Sequence, residues 1–194
     1  MILYIHGFGS SSEGAKPTLF KTLTCNHPVY APSLSYVPDL AVKTLSELIV
    51  LLKASEDPAL HTIHLIGSSL GGYYAHYLAH KYHLKAVLIN PALYPYDGLA
   101  RYRGMARNYY DNTHFECSDE HFEMLKKYDV PATAENDNIL LLSQKGDEVL
   151  DYREAVAKLG GAMMIVEEGG SHAFENIADH LDTIAHFLHV RFGA

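Results

Sequence analysis

The run Gly67-Ser68-Ser69-Leu70-Gly71-Gly72 constrains this chain more than any other feature. It follows the apolar segment His61 to Ile66, which reads as a short buried strand. It precedes Tyr73 to Tyr82, which has few breakers and reads as a helix. A strand that reverses into a helix with no loop between them leaves the junction residue strained and exposed. Small residues two positions before and two after it keep the two backbones from colliding. Gly67 and Gly71 hold those places around Ser69, whereas Ser68 has Ile66 and Leu70 there, so the frame selects Ser69. This is a nucleophile elbow of the Gly-x-Ser-x-Gly type, and the strand-then-helix setting separates it from an ordinary glycine-rich turn.

A chemically useful serine needs a base, a group that orients the base, and donors for an oxyanion. Where this elbow is used, the acid and then the histidine follow the serine, each after a later strand. Asn138 to Ser143 is an apolar run ending in Gln144-Lys145-Gly146-Asp147-Glu148, which puts Asp147 just past a strand end. Ala162 to Val166 is another, ending in Glu167-Glu168-Gly169-Gly170-Ser171-His172, so His172 also stands past a strand, in a glycine turn. Asp151 competes with Asp147, but it lies four residues later, inside a helix expected to begin near Val149. The oxyanion donors are expected from two backbone N–H groups. One is that of Leu70, the residue after the serine. The other is that of Phe8, in His6-Gly7-Phe8-Gly9-Ser10 after the strand Ile2 to Ile5, where the flanking glycines free the backbone to turn inward.

Around these points the pattern alternates. Apolar runs at 2–5, 29–31, 62–66, 86–90, 138–143 and 162–166 read as six strands, with helical stretches near 16–24, 38–54, 70–82, 149–159 and 173–190 between them. Leu40, Leu45, Leu48, Ile49 and Leu52 share helical spacing after the start signal Pro38-Asp39. Such alternation implies an α/β fold, a parallel sheet with helices on both faces. The exception is Tyr94 to Asp137. It holds several breakers and one expected helix, Ser118 to Tyr128, with Ser118 as cap and His121 three residues on. It reads as a small cap-like insertion, about 95–137, over the serine. Two readings of its Arg101, Arg103, Arg107, Tyr94, Tyr96, Tyr102, Tyr109 and Tyr110 stand side by side: a basic-aromatic wall for an anionic or extended acyl substrate, or a solvated surface with tyrosines packed inward.

Composition narrows the classes. With 194 residues, 48% of them hydrophobic, the chain suits a single domain over 1–194 with one sizeable core. A net charge of −8 argues against nucleic acid, which selects a basic face. No signal-peptide pattern opens the chain, and no apolar run approaches the roughly 20 residues that span a bilayer. Only two cysteines, Cys25 and Cys117, occur, far apart in sequence, which suits a cytoplasmic protein without a disulfide. Thirteen histidines invite a metal reading. His76, His80 and His83 share a helix face but lack the Glu of the zinc motif, so a solvated histidine face is expected, as for His180, His186 and His189. His6 is expected to pack or hydrogen-bond near the oxyanion loop. No metal and no cofactor are expected.

The chain resembles the α/β-hydrolase superfamily and, within it, the small YqiA/YcfP-like esterases. The matching segments are Leu3-Tyr4-Ile5-His6-Gly7-Phe8-Gly9-Ser10-Ser11, Gly67 to Ala75, Asn90-Pro91-Ala92, Gly146-Asp147-Glu148-Val149-Leu150-Asp151-Tyr152 and Gly169-Gly170-Ser171-His172-Ala173-Phe174. The resemblance implies the α/β-hydrolase fold without its two N-terminal antiparallel strands: about six strands, mostly parallel, in the order 2-1-3-4-5-6. It also implies an esterase or thioesterase acting on acyl esters. Together these residues point to a serine hydrolase of carboxylic esters. Ser69 would attack the acyl carbonyl, His172 would serve as base and then acid, and Asp147 would hold the histidine, through an acyl-enzyme. The expected partner is a small-molecule acyl ester or thioester. Alternatives on the same residues are an acyl-CoA thioesterase or a peptidase, and, in another class, a binding protein without catalysis.

Overall fold

Strands buried on both faces must be apolar throughout, and the central runs of this chain are. In the computed structural model, which describes residues 1–23 and 28–192, they form β1 (Ile2–Ile5), β2 (Val29–Tyr30), β3 (His64–Ser68) and β4 (Lys85–Ile89). After an insertion carrying β5 (Gly104–Arg107) and β6 (His114–Cys117) come β7 (Ile139–Gln144) and β8 (Met163–Glu167). Six of these make one parallel sheet, β2-β1-β3-β4-β7-β8. Counted within the sheet, the order is 2-1-3-4-5-6, as expected. Cys25 lies outside the described residues, and Cys117 is a buried free thiol.

Alternation along each strand sends successive side chains to opposite faces. Leu3, Ile5, Leu65, Leu88 and Leu141 meet one helical layer, formed by α2 (Pro38–Lys53) and α3 (Leu70–Tyr82). Ile2, Tyr4, Ile66, Val87 and Leu142 meet the other, with Phe20 of α1 (Ala15–Thr22) and Ile184 and Leu188 of the last helix, α7 (Leu181–Leu188). In a sheet with this order the chain reverses direction beside β1, and the crevice beyond the carboxyl ends of the strands is where ligands bind.

Several boundaries differ from expectation, each for a local reason. β3 starts at His64 rather than His61, because Pro58–Leu60 forms a 3₁₀ turn capped by Asp57, and it runs on through Ser68. α6 (Tyr152–Lys158) starts after Val149 because Asp147 Oδ1 accepts the N–H groups of Val149 and Leu150; Asp151 is its N-cap. The last helix, expected from 173, is a 3₁₀ turn at Ile177–His180 and then α7 (Leu181–Leu188), because Phe174 and Asn176 have positive φ, outside any right-handed helix. The solvated face expected for the histidines of α3 is corrected too. His76 is buried and donates to Asn136 Oδ1 at 3.0 Å, and His80 reaches the same oxygen at 3.1 Å; only His83 is exposed.

The segment between β4 and β7 holds a short α4 (Pro95–Gly98), the antiparallel hairpin β5–β6 and α5 (Asp119–Lys126). Ser118 and His121 form the capping box of α5. The hairpin was not expected. Its strands have four residues each and bury only Ala106, Phe115 and Cys117. Phe115 stacks on Tyr36 with centroids 3.7 Å apart and edges onto Phe8, and the Tyr109 N–H donates to Gly9 O at 2.7 Å. The insertion is thus sewn to the loop after β1. At its other end, buried Lys158 of α6 pairs with Asp129 and donates to Leu93 O.

Candidate active site

Ser69 stands between β3 and α3 at φ 56°, ψ −123°, a conformation that side-chain-bearing residues avoid at a cost of about 1–3 kcal/mol. Packing overrides that cost. A Cβ on Gly67 would overlap Gly71 O and come within 2.8 Å of Ala75 Cβ, and one on Gly71 would run into Ile5 O. The first turn of α3 therefore lies directly on the ends of β3 and β1. Ser69 N–H donates to Ile89 O at 3.1 Å, and Ser69 O accepts from Ala92 and Gly72. The backbone is pinned and the hydroxyl projects.

His172, on the loop after β8, lies with Nε2 3.1 Å from Ser69 Oγ and Nδ1 2.8 Å from Asp147 Oδ2. Asp147, on the loop after β7, has its side chain only 3% exposed. That burial raises its pKa, but hydrogen bonds from His172 and from the Leu150 and Val149 amides outweigh it and hold the carboxyl below its ordinary range. An ionised Asp147 accepts the Nδ1–H, which leaves Nε2 bare to accept the Ser69 hydroxyl proton. Asp151 turns away and is paired with Arg153.

The residues expected as oxyanion donors flank the serine. Leu70 opens α3, so its N–H is one of the amides a helix leaves without an internal partner. Gly7 approaches so closely that a Cβ there would lie 3.0 Å from Ser69 Cβ and 3.6 Å from its Oγ, and Phe8 and Gly9 line the same cavity as the serine. The Phe8 ring is held by Tyr102 and Phe115 at 5.2 and 5.3 Å. Buried His6 accepts the Leu34 N–H on Nε2 and donates from Nδ1 to Gly7 O; burial lowers its pKa, so it is a neutral strut.

Three supporting residues escaped sequence reasoning. Asn90, buried at the end of β4, donates to Ser171 O at 2.9 Å and His172 O at 3.3 Å, and its Oδ1 accepts from Gln144 N. Gln144, buried at the end of β7, accepts the Ser171 and Glu175 amides and donates to Glu167 and Glu175 O. Glu148 accepts the His172 N–H at 3.0 Å. The available signal was a polar residue closing an otherwise apolar strand, at Asn90 and again at Gln144.

Two cavities open on Ser69. One, of about 450 Å³, is lined by Phe8, Ser10, Lys16, Tyr109, Glu148 and His172 among others. The other, of about 140 Å³, is walled by Ala92, Tyr94, Leu99, Arg101 and Leu150 among others. The basic-aromatic residues of the insertion divide between the two readings given for them. Tyr94, Arg101 and Tyr109 face these cavities, whereas Arg103 pairs with Asp119 and Arg107 bonds Asn112.

The family model described as an uncharacterised protein family, UPF0227, matches residues 1–189. The UPF0227 protein YcfP of Salmonella paratyphi B is 25% identical over 194 residues, covering 96% of this chain and 98% of its own. Alpha/beta hydrolase domain-containing protein 10 from mouse superposes with a TM-score of 0.70 at 18% identity, over 97% of this chain and 89% of the mouse chain. An esterase domain from Rhodothermus marinus gives 0.62 at 17% identity, over 92% and 80%. The fold is that of the α/β hydrolases. Among the described residues no helix is long and apolar enough to cross a membrane.

Proposed function

We propose that this chain, which belongs to the UPF0227 family, is a serine hydrolase that cleaves carboxylic esters through an acyl-enzyme. The observation that carries the reading is the hydrogen-bonded line Asp147–His172–Ser69, with contacts of 2.8 and 3.1 Å. Ser69 Oγ attacks the acyl carbonyl while Nε2 of His172 takes its proton. Asp147 holds the Nδ1–H tautomer and stabilises the imidazolium. Negative charge on the carbonyl oxygen is received by the N–H groups of Phe8 and Leu70, with the start of α3 adding its favourable dipole. His172 then returns the proton to the leaving oxygen, and a water activated by the same nitrogen releases the acid. The insertion acts as a cap, because its residues wall both cavities at the serine.

The test is direct. The wild type is expected to react covalently with a fluorophosphonate probe at Ser69 and to hydrolyse aryl esters. Ser69→Ala should lose both, with kcat/KM down by about 10³-fold or more and thermal unfolding no earlier than in the wild type. Ester hydrolysis retained in a clean Ser69→Ala preparation refutes the assignment.

A further inference from the structure

The two cavities at Ser69 differ in a way that orients a substrate, provided Ser69 is the nucleophile as read above. An imidazole that protonates the leaving oxygen requires the alcohol part to depart on the imidazole's side. His172 borders the cavity of about 450 Å³ and does not border the one of about 140 Å³. The alcohol part therefore belongs to the larger cavity, and the acyl part to the smaller one between Ala92, Tyr94, Leu99 and Leu150. A space of roughly 150 Å³ takes a benzene-sized group, so acyl groups from acetyl to benzoyl fit it, beside the Asp97, Arg101 and Glu154 side chains that share its wall.

Lys16, from α1, is the cation lining the larger cavity. Its Nζ donates to Ala173 O at 2.6 Å and, among the described residues, joins no ion pair. An ammonium has three N–H donors, so two are left for a ligand. Two carboxylates bear on it, Asp147 through its charge and Glu148 in the same cavity lining, and both are engaged elsewhere: Asp147 with His172 and two backbone amides, Glu148 with the His172 N–H. Glu148 is exposed and screened by water, whereas Lys16 is half-buried and its field less so. Burial holds the Lys16 ammonium below the usual lysine range, with the charge of Asp147 opposing, and an anion brought to Nζ would compensate the lost hydration.

We propose that Lys16 is a specificity-determining residue, selecting esters whose alcohol part carries an anionic group, a carboxylate or a phosphate, seated against its ammonium. The mutual geometry supports this: ammonium, leaving-group proton donor and nucleophile share one cavity. Lysine acts there as a point charge, so it asks for charge and not for a bidentate shape.

The experiment compares 4-acetoxybenzoate, 4-acetoxyphenyl phosphate and the neutral 4-acetoxybenzamide, following phenol release in the wild type, Lys16→Gln and Lys16→Arg. The acyl part is the same throughout, and differences in leaving-group size and basicity cancel when each ratio is compared between wild type and variant. Lys16→Gln is expected to lower the ratio of kcat/KM for an anionic over the neutral ester by about tenfold, the effect of one partly buried ion pair, and Lys16→Arg to restore most of it. Whether carboxylate or phosphate shows the larger drop identifies the anion. Equal losses on all three esters would mean that Lys16 acts through the His172 loop by its bond to Ala173, and would overturn the proposal. An unchanged ratio overturns it equally. Failure of the proposed function looks different: no fluorophosphonate labelling of Ser69 and no ester turned over by the wild type.

Discussion

Ser69 and His172 meet at hydrogen-bonding distance, yet they are held there by opposite means. The serine is placed by sterics. Three glycines, Gly67, Gly71 and Gly72, let backbones touch where no Cβ fits, and every residue from Ile63 to Ser68 is buried. The histidine stands on a loop with two left-handed glycines, Gly169 and Gly170, and is placed by polar side chains from the ends of β4 and β7 and the loop after β7: Asn90, Gln144, Asp147 and Glu148. Packed backbone tolerates no added atom but needs no particular charge. A polar tether tolerates shape changes and fails when a donor or acceptor is removed. The two halves of the site should therefore break in different ways.

The largest effect is expected on the tethered side. Asp147→Asn keeps the shape but presents an amide to Nδ1, favouring the wrong tautomer, and should lower kcat/KM by about 10⁴-fold with little loss of stability. Asp151→Asn, which alters a helix cap paired with Arg153, should change the rate far less. Steady-state kinetics on both variants decides, and the reverse ranking would move the acid. On the packed side, Gly71→Ala should cost stability before rate, by about 3 kcal/mol or more, because its methyl group meets the carbonyls of Ile5 and His6. Urea unfolding reads this out, and wild-type stability in Gly71→Ala would contradict the steric account.

A pH series sharpens the contrast, because the buried polar ties of α3 include a titratable one. Burial pushes the His76 pKa down to about 4, against a smaller opposing contribution from the Asn136 hydrogen bond. The folded state thus prefers neutral His76, while the unfolded chain takes up its proton near pH ~6.5. The stabilising difference is complete above that value and is lost as pH falls from about 6.5 to about 4, by roughly 3 kcal/mol at most. Unfolding free energies across this range should slope in the wild type and flatten by that amount in His76→Gln. A smaller change is expected from Asn90→Ala. It frees the Ser171 and His172 carbonyls, lets the imidazole drift, and should cost about 10²-fold in kcat with KM nearly unchanged. Loss in KM alone would show that Asn90 shapes the cavity instead of holding the loop.

What was legible in the sequence follows the same division. The strands of the sheet and the strand ends bearing Ser69, Asp147 and His172 could be located, because buried parallel strands are continuous apolar runs and the elbow needs glycines at fixed offsets; the order of the strands followed only from the resemblance to the α/β hydrolases. The contacts of Asn90, Gln144 and Glu148 could not, since each bridges segments tens of residues apart and a single polar letter carries no direction. The hairpin β5–β6 escaped because its two short strands bury three side chains, too few for a period to emerge. The histidine face of α3 misled because a helix buried on nearly all sides hides its polar members too, provided that a partner such as Asn136 is near.

Strand β8 borders only β7, and its residues are half-buried or exposed, with Met163 47% exposed. Edges of this kind open first when a fold is warmed, at a free energy below that of global unfolding. The imidazole rides on the loop that this strand releases, 103 residues along the chain from the hydroxyl it bonds. Heating should then silence the protein while its helices are still intact, so that inactivation behaves as the detachment of one border and not as melting.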